Sequence, residues 1–223
     1  MCYTGEEFAL FASLSSCMSM RILYALLFLI LPVYKALTFV ALSVLRFFRR
    51  WRGKYHWFDR IDDHVWVGGA PLEYFGDLPY LQRQGITAII HSAPEIPRYD
   101  WRAYKKENNF LFLRIMDRTS PTIAQLHTAV TWMNERIKRG EKVLIHCALG
   151  KGRSVCIAMA WYVYSRKMSA DAALQYIQKH RPQAQPNHWQ MRRMADFAEQ
   201  LKSLSTISLS SRKIEISSER NED

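Results

Sequence analysis

The sequence predicts an α/β fold, a central, mostly parallel sheet flanked by helices, preceded by an N-terminal membrane helix. Three observations predict it. From about Trp57 onward, short apolar runs of strand length alternate with stretches of helical period, after which only helical stretches remain. One strand-like run, "KVLIHC", leads into a loop containing two glycines that opens a helix. Ahead of the globular part, Ile22 to Leu45 is a run of 24 residues with a single charge, Lys35.

Residues 1–21 are weakly polar and rich in small side chains. Residues 22–45 as a helix would span roughly 36 Å, enough for a bilayer core. Pro32 would kink that helix, and Lys35 would cost about 3 kcal/mol near its middle. A secretory signal peptide is the competing reading, because Met20-Arg21 precedes ten apolar residues, but no clean small-x-small cleavage site follows. Residues 46–56 form a basic linker. Arg46, Arg49, Arg50, Arg52 and Lys54 alternate with Phe47, Phe48 and Trp51, a pattern that suits anionic headgroups and keeps this flank cytoplasmic on the positive-inside rule. A nuclear-localisation or nucleic-acid patch is the alternative for these cations.

Residues 57–203 form the expected globular domain. "HVWVGG", "GITAIIHSA", "FLFLRIMD" and "KVLIHC" read as four strands. "DLPYLQRQ", "DWRAYKKEN" and "TIAQLHTAVTWMNERIKRG" read as helices between them, the last stopping at Gly140. "GRSVCIAMAWYVYSRK", "SADAALQYIQKH" and "NHWQMRRMADFAEQLKS" read as the closing helices, with Asn187 as a natural cap for the last. Asp62 and Asp63 read as turn residues, and Trp161, Tyr162 and Tyr164 as packing residues. Residues 204–223 are rich in serine and charge and read as a disordered tail.

The bulk numbers narrow the function. With 223 residues and 49% hydrophobic content the chain can bury one core, and its net charge of +11 calls for an anionic partner. The excess is not confined to one tail: residues 58–203 carry 21 Lys and Arg against 14 Asp and Glu. Nucleic acid is an unsuited partner, since no groove-reading module is present. Phosphorylated proteins and anionic phospholipids remain. The four cysteines, Cys2, Cys17, Cys147 and Cys156, show neither zinc spacing nor a disulfide framework, so they read as free thiols in a reducing compartment. Cys2 and Cys17 flank the apolar segment, where acylation is conceivable.

The run Val143 to Val155, "VLIHCALGKGRSV", carries the chemistry. A strand-loop-helix turn over Ala148, Leu149, Gly150, Lys151, Gly152 and Arg153 aims backbone N–H groups into one concave site at a helix N-terminus, a site for an anion. Glycines let the backbone turn tightly and approach the ligand. Arg153 offers a planar fork for two oxygens of a tetrahedral dianion. The same positive field lowers the pKa of Cys147, and a thiolate beneath a bound phosphate is placed for in-line attack on phosphorus. Ser154 can donate to that thiolate and ease its departure. The pattern predicts a loop that forms a phosphocysteine.

"HCALGKGRS" resembles the His-Cys-x-x-Gly-x-x-Arg-Ser/Thr signature of the cysteine-dependent phosphatases. From about Trp57 to Lys202 the chain is similar to their dual-specificity branch. "IDDHVWVGGAP" resembles that branch's opening strand, and "HRPQAQPNHWQMRRM" its closing helix. The resemblance implies the family's fold, a two-step covalent hydrolysis without metal, Cys147 as nucleophile and Arg153 as phosphate clamp. It also implies a general acid, an aspartate at a strand end upstream of the cysteine. Asp117 in "RIMDRTSPT" lies 30 positions upstream and is the only acidic residue there. No Trp-Pro precedes it, which fits the dual-specificity branch, and the late loop with an upstream acid separates the chain from low-molecular-weight phosphatases.

His146 is expected to orient the loop backbone. Cys156, nine residues after Cys147, is expected to pack in the core rather than resolve an oxidised Cys147. Lys151 adds a second loop cation, a feature that lipid-directed relatives enrich, although the richer lysine versions of the loop are not matched. The expected protein is therefore a membrane-tethered phosphatase, its catalytic domain facing the cytosol, acting on phosphotyrosine in proteins, with phosphoserine and phosphothreonine as further candidate substrates. A phosphoinositide or phosphatidylglycerophosphate phosphatase of the same mechanism is the alternative. A non-catalytic phosphate-binding adaptor is the alternative of another class.

Overall fold

The structure is a computed structural model that describes residues 33, 34, 36–38, 40–47, 56–96 and 109–219, with side chains as far as residue 203. Residues 1–32, the cations from Arg49 to Lys54, Cys2, Cys17 and the expected helix at 100–108 lie outside the described residues. The described residues among 33–47 are helical and form α1. Strands β1 (Phe58–Arg60) and β2 (Val65–Gly68) follow, then a 3₁₀ turn (Glu73–Phe75), α2 (Asp77–Arg83), β3 (Ile86–His91) and β4 (Phe110–Phe112). The second half holds α3 (Ile123–Lys138), β5 (Lys142–His146), α4 (Arg153–Arg166), α5 (Ala170–His180) and α6 (His188–Glu219).

The strands form one mixed sheet in the order β1-β2-β5-β3-β4. Only the β1–β2 pair is antiparallel; β2–β5, β5–β3 and β3–β4 are parallel. The alternation of side chains sorts two cores. Val65, Val67, Ala88, Ile90, Val143 and Ile145 face α3, α4, α5 and α6, while Trp66, Ile89 and Leu144 face the side of α2 and α1. The strands buried on both faces read as continuous apolar runs for this reason.

β1 was not legible in the sequence. It is three residues long and is joined to β2 by a turn in which Asp62 Oδ1 accepts from the N–H groups of His64 and Val65 at 2.9 and 2.8 Å. The same carboxylate's other oxygen holds Tyr162 and Arg166 of α4. Asp62 is thus a turn residue as expected and also a tie between turn and helix. The strand expected over "FLFLRIMD" pairs only over its first three residues. Beyond them the chain peels away from β3 and delivers Asp117 to the sheet's end.

Caps set the helices. Thr122 and Gln125 form a reciprocal capping box at the start of α3, Ser169 accepts from Ala172 N at α5, and Asn187 and Gln190 exchange backbone and side-chain bonds at α6. α4 is buried from Arg153 through Val163, as its nearly all-round apolar composition requires. Trp161 and Tyr162 pack there, and Cys156 is fully buried. No Gly or Pro occurs from His188 onward, so nothing breaks α6. The helix continues to Glu219 instead of giving way to the expected disordered tail at residue 204. Among the described residues, no helix is long and apolar enough to cross a membrane.

Candidate active site

Three parallel strands, β2, β5 and β3, end side by side at one edge of the sheet. β5 is the central one of the three, and the chain leaves it at Cys147 to turn back over that edge into α4. The loop from Cys147 to Gly152 closes on itself: Gly150 N–H donates to Cys147 Sγ at 3.2 Å, and the Ser154 hydroxyl donates to the same sulfur at 3.4 Å. Cys147 is 3% exposed. Burial alone would push its thiol up, but the Arg153 charge, the Ser154 hydroxyl and amide and the Gly150 amide together outweigh it and hold the thiol below its ordinary value. Cys156 shows the contrast: burial and the nearby Cys147 sulfur drive its thiol far upward, leaving it an inert packing group.

The loop's shape is held from behind by Arg181, at the end of α5. Its side chain is fully buried and donates from Nε to the Gly150 carbonyl at 2.7 Å and from Nη2 to the Leu149 carbonyl at 3.2 Å, while Nη1 pairs with Asp59 of β1. Gly150 has φ +70°, and a Cβ there would run into Arg181 Nη2 and the Gly68 backbone. Both the left-handed backbone and the close approach demand glycine. Gly152 is packed on the other side by Gln190 of α6, whose Oε1 would lie 2.7 Å from a Cβ.

Arg153 is the first residue of α4 and is 3% exposed. Its Nη1 and Nη2 engage both carboxylate oxygens of Glu95 at 2.9 and 2.5 Å, and Nη1 also donates to the Ile115 carbonyl at 3.0 Å. Burial works against its charge, and Glu95, the Cys147 sulfur and Asp117 outweigh that and keep it protonated. Glu95, itself 3% exposed, follows β3 at the same sheet edge. No local spacing in the sequence marks it, since it meets Arg153 across 58 positions. Asp117 lies on the rim, with Oδ1 3.0 Å from Arg153 Nη2 and its side chain 52% exposed. The segment carrying it is tied to the start of α6: Asn187 Nδ2 donates to the Arg118 carbonyl at 2.8 Å and Gln190 Nε2 to the Thr119 carbonyl at 2.9 Å.

His146 is buried behind the loop with its Nδ1 3.3 Å from the Cys147 carbonyl, and its ring meets that of His91 edge-on at 4.6 Å. Burial, then His91, depresses its pKa well below the ordinary value, so it is a neutral ring and Nδ1 donates its proton to that carbonyl. Each residue singled out in the sequence loop, Ala148, Leu149, Lys151 and Gly152 among them, lines one cavity of about 530 Å³ with Cys147, Arg153, Asp117 and Glu95, apart from Gly150, Ser154 and His146, which lie behind its wall. Cys147 lines it with its sulfur held by the Gly150 amide and the Ser154 hydroxyl, and the Arg153 guanidinium lines it beside the sulfur. A half-exposed carboxyl sits at its edge. This arrangement accommodates a tetrahedral oxyanion with a nucleophile beneath it and a proton donor or acceptor beside it.

Residues 68–200 match the dual specificity phosphatase catalytic domain family. The chain is 24% identical over 141 residues to phosphatidylglycerophosphate phosphatase PTPMT2 of Arabidopsis thaliana, a match covering 59% of this chain and 58% of that protein. It is 25% identical to dual specificity protein phosphatase 14 of Homo sapiens, covering 58% of this chain and 64% of that one. The chain therefore spans less than two thirds of the length of these relatives. Among solved structures, the active form of Tk-PTP is 30% identical with a TM-score of 0.57, covering 65% of this chain and 98% of that one. The structure of PTPMT1 in complex with PI(5)P is 22% identical with a TM-score of 0.60, over 67% and 99% of the two chains, a likeness of fold. With a sheet, a loop and a sequence match that agree over the same residues, the chain belongs to the dual specificity phosphatase family and has its fold.

Proposed function

We propose that the protein is a membrane-tethered phosphatase that hydrolyses phosphate monoesters through a phosphocysteine at Cys147. The observation that carries this reading is the Cys147 sulfur held by the Gly150 amide and the Ser154 hydroxyl beneath a cup walled by Arg153. Arg153 is braced by Glu95 through Nη1 and Nη2, which leaves its Nε edge and the loop amides to take the phosphoryl oxygens. The thiolate attacks phosphorus in line, the P–O bond to the leaving group breaks, and protonated Asp117 gives its proton to the departing oxygen. Water then attacks the phosphocysteine, Asp117 takes the water's proton, and the S–P bond breaks to return the thiolate and release phosphate. Ser154 stabilises the sulfur anion at that departure. Every bond made and broken is accounted for without a metal or a redox partner.

Hydrolysis of a soluble aryl phosphate without added metal tests the reading. Cys147→Ser should abolish turnover, and Asp117→Ala should lower kcat by about 10² to 10⁴ while leaving substrate binding intact. Turnover that survives Cys147→Ser would sink the mechanism. A wild-type protein that binds phosphate but turns nothing over would instead return the adaptor reading.

Two substrates suit the site. Phosphotyrosine, with phosphoserine and phosphothreonine, is the reading supported by relatives such as dual specificity protein phosphatase 14. A phospholipid phosphate is favoured by a specific observation: Tyr34, Ala41, Leu42 and Leu45 of α1 line the cavity with Thr38, a largely apolar surface beside an anion cup. Two of the Arabidopsis relatives, PTPMT2 and PTPMT1, are phosphatidylglycerophosphate phosphatases, and others there are protein phosphatases. Initial rates on phosphopeptides and on vesicles carrying phosphatidylglycerophosphate decide between them, and a strong peptide preference removes the lipid reading. The tether is read from the apolar run that opens at Ile22 and the cations after it, with its part from Val33 onward held on the domain by Leu42 and Arg46 and the domain on the cytosolic side, where a thiolate stays reduced.

A further inference from the structure

α1 lies outside the residues that match the family, yet it forms part of the active-site cavity. Its two faces differ sharply. On the inner face, Leu42 is 3% exposed and packs in the core that contains Trp57, Phe58, Cys147 and Ala148. One turn on, Arg46 pairs with the buried Asp77 of α2 and lies over the rings of Trp57, Phe75 and Phe58 at 4.8, 5.1 and 5.5 Å. These contacts fix the helix's rotation against the domain. The opposite face is the spacing Val33, Leu37, Val40, Val44, Phe47, alternating steps of four and three that place all five on one stripe. All five are between 48 and 64% exposed.

That stripe is not ordinary surface. Seven of the eleven exposed large apolar side chains among the described residues lie on α1, a concentration that marks an interaction site rather than scattered exposure. Two of the remaining four, Met116 and Trp189, adjoin cavity-lining residues, Met116 beside Asp117 and Trp189 between Asn187 and Gln190. Electrostatics selects the occupant. The sequence has no acidic residue between Glu7 and Asp59, while Arg49, Arg50, Arg52 and Lys54 follow directly on Phe47 and Phe48. An apolar stripe continued by cations and aromatics fits the headgroup layer of a bilayer containing anionic lipid, where an amphipathic helix lies in the interface plane.

We propose that the outer face of α1 is an interfacial docking surface for anionic membrane, and that it seats the mouth of the Cys147 cavity at headgroup level. One helix makes both contacts, so orientation on the membrane and access to the site are set together. A phosphate monoester carried by a lipid then reaches the cup from the plane of the bilayer, with its apolar part against Leu42 and Leu45. The purpose of this seating rests on the phosphatase reading above; the docking itself rests on α1 alone.

The test uses the full chain on vesicles of phosphatidylcholine and phosphatidylglycerol, where residues before α1 can attach the protein without deciding how α1 lies. Val40→Trp adds an emitter to the outer stripe, and lipids brominated near the headgroup end of their chains report its depth. Subtracting the wild-type signal, more than about half of the added emission should be quenched. Adding Leu37→Glu and Val44→Glu should abolish that quenching while turnover of soluble aryl phosphate stays within about twofold, because neither side chain lines the cavity. An added emitter that is unquenched on vesicle-bound protein overturns the proposal. If it is also shielded from acrylamide, the face is buried against a second copy of the chain. Quenching that survives both glutamates overturns it equally. A wild type without aryl phosphatase activity removes the catalytic reading and leaves the quenching result standing.

Discussion

At the scale of residues, the site is a set of charges that hold one another in place. Cys147 is the acid whose charged form is favoured, so its reactivity should rise with pH through a midpoint below the ordinary thiol range. Ser154 donates to that sulfur. Ser154→Ala should therefore shift the ascending limb of iodoacetamide labelling toward higher pH, and should slow breakdown of the phosphocysteine more than its formation, seen as a larger burst in rapid-mixing kinetics. Glu95 holds Arg153 through both carboxylate oxygens. Glu95→Gln keeps the shape and loses the charge, and should lower kcat/KM on aryl phosphate by about tenfold to a hundredfold, the range of one or two charge-assisted hydrogen bonds. Legibility differed between these residues for a physical reason. Cys147, Arg153 and Ser154 sit within eight positions of each other, so local spacing reveals them. Glu95 joins Arg153 across 58 positions. It was visible only through topology: it follows a strand that runs parallel to β5 and ends at the same edge.

At the scale of elements, the β5–loop–α4 unit is the part that works, and its backbone is fixed by partners remote in sequence. The helix cap at Asn187 and the stop at Gly140 were readable because each rests on neighbouring residues. The three-residue β1 and the true end of β4 were not, since pairing with a distant strand decides them. Nor was the length of α6 beyond residue 203, where serine-rich composition suggested a tail although nothing in it ends a helix. Gly150 is the element's sharpest constraint. Gly150→Ala forces a Cβ onto a left-handed backbone and into Arg181, and should abolish measurable turnover and lower stability by about 2 to 4 kcal/mol in urea melts. Arg181→Met removes the bonds to Gly150 and Leu149 and strands the buried Asp59. Loss of about 3 to 5 kcal/mol is expected for breaking such a buried pair, checked by the same melts.

At the scale of the whole molecule, two cores share one sheet, and among the described residues Leu42 joins α1 to the smaller of them while Arg46 pairs beside it. Because Arg46 is held by Asp77 and three aromatic rings, Arg46→Ala should loosen α1 as a unit. Amide exchange over residues 40–47 should quicken by about a hundredfold or more while that of β5 is unchanged, a local opening rather than a global one. Arg181, Gln190 and Glu95 hold the loop and the guanidinium from behind, so little ordering is left to be done when an anion arrives. The inorganic ion liberated by each turnover meets the same ready-made contacts as the group it came from. The protein should accordingly be slowed by the orthophosphate around it, competitively, which would make the local store of that ion a brake on its rate.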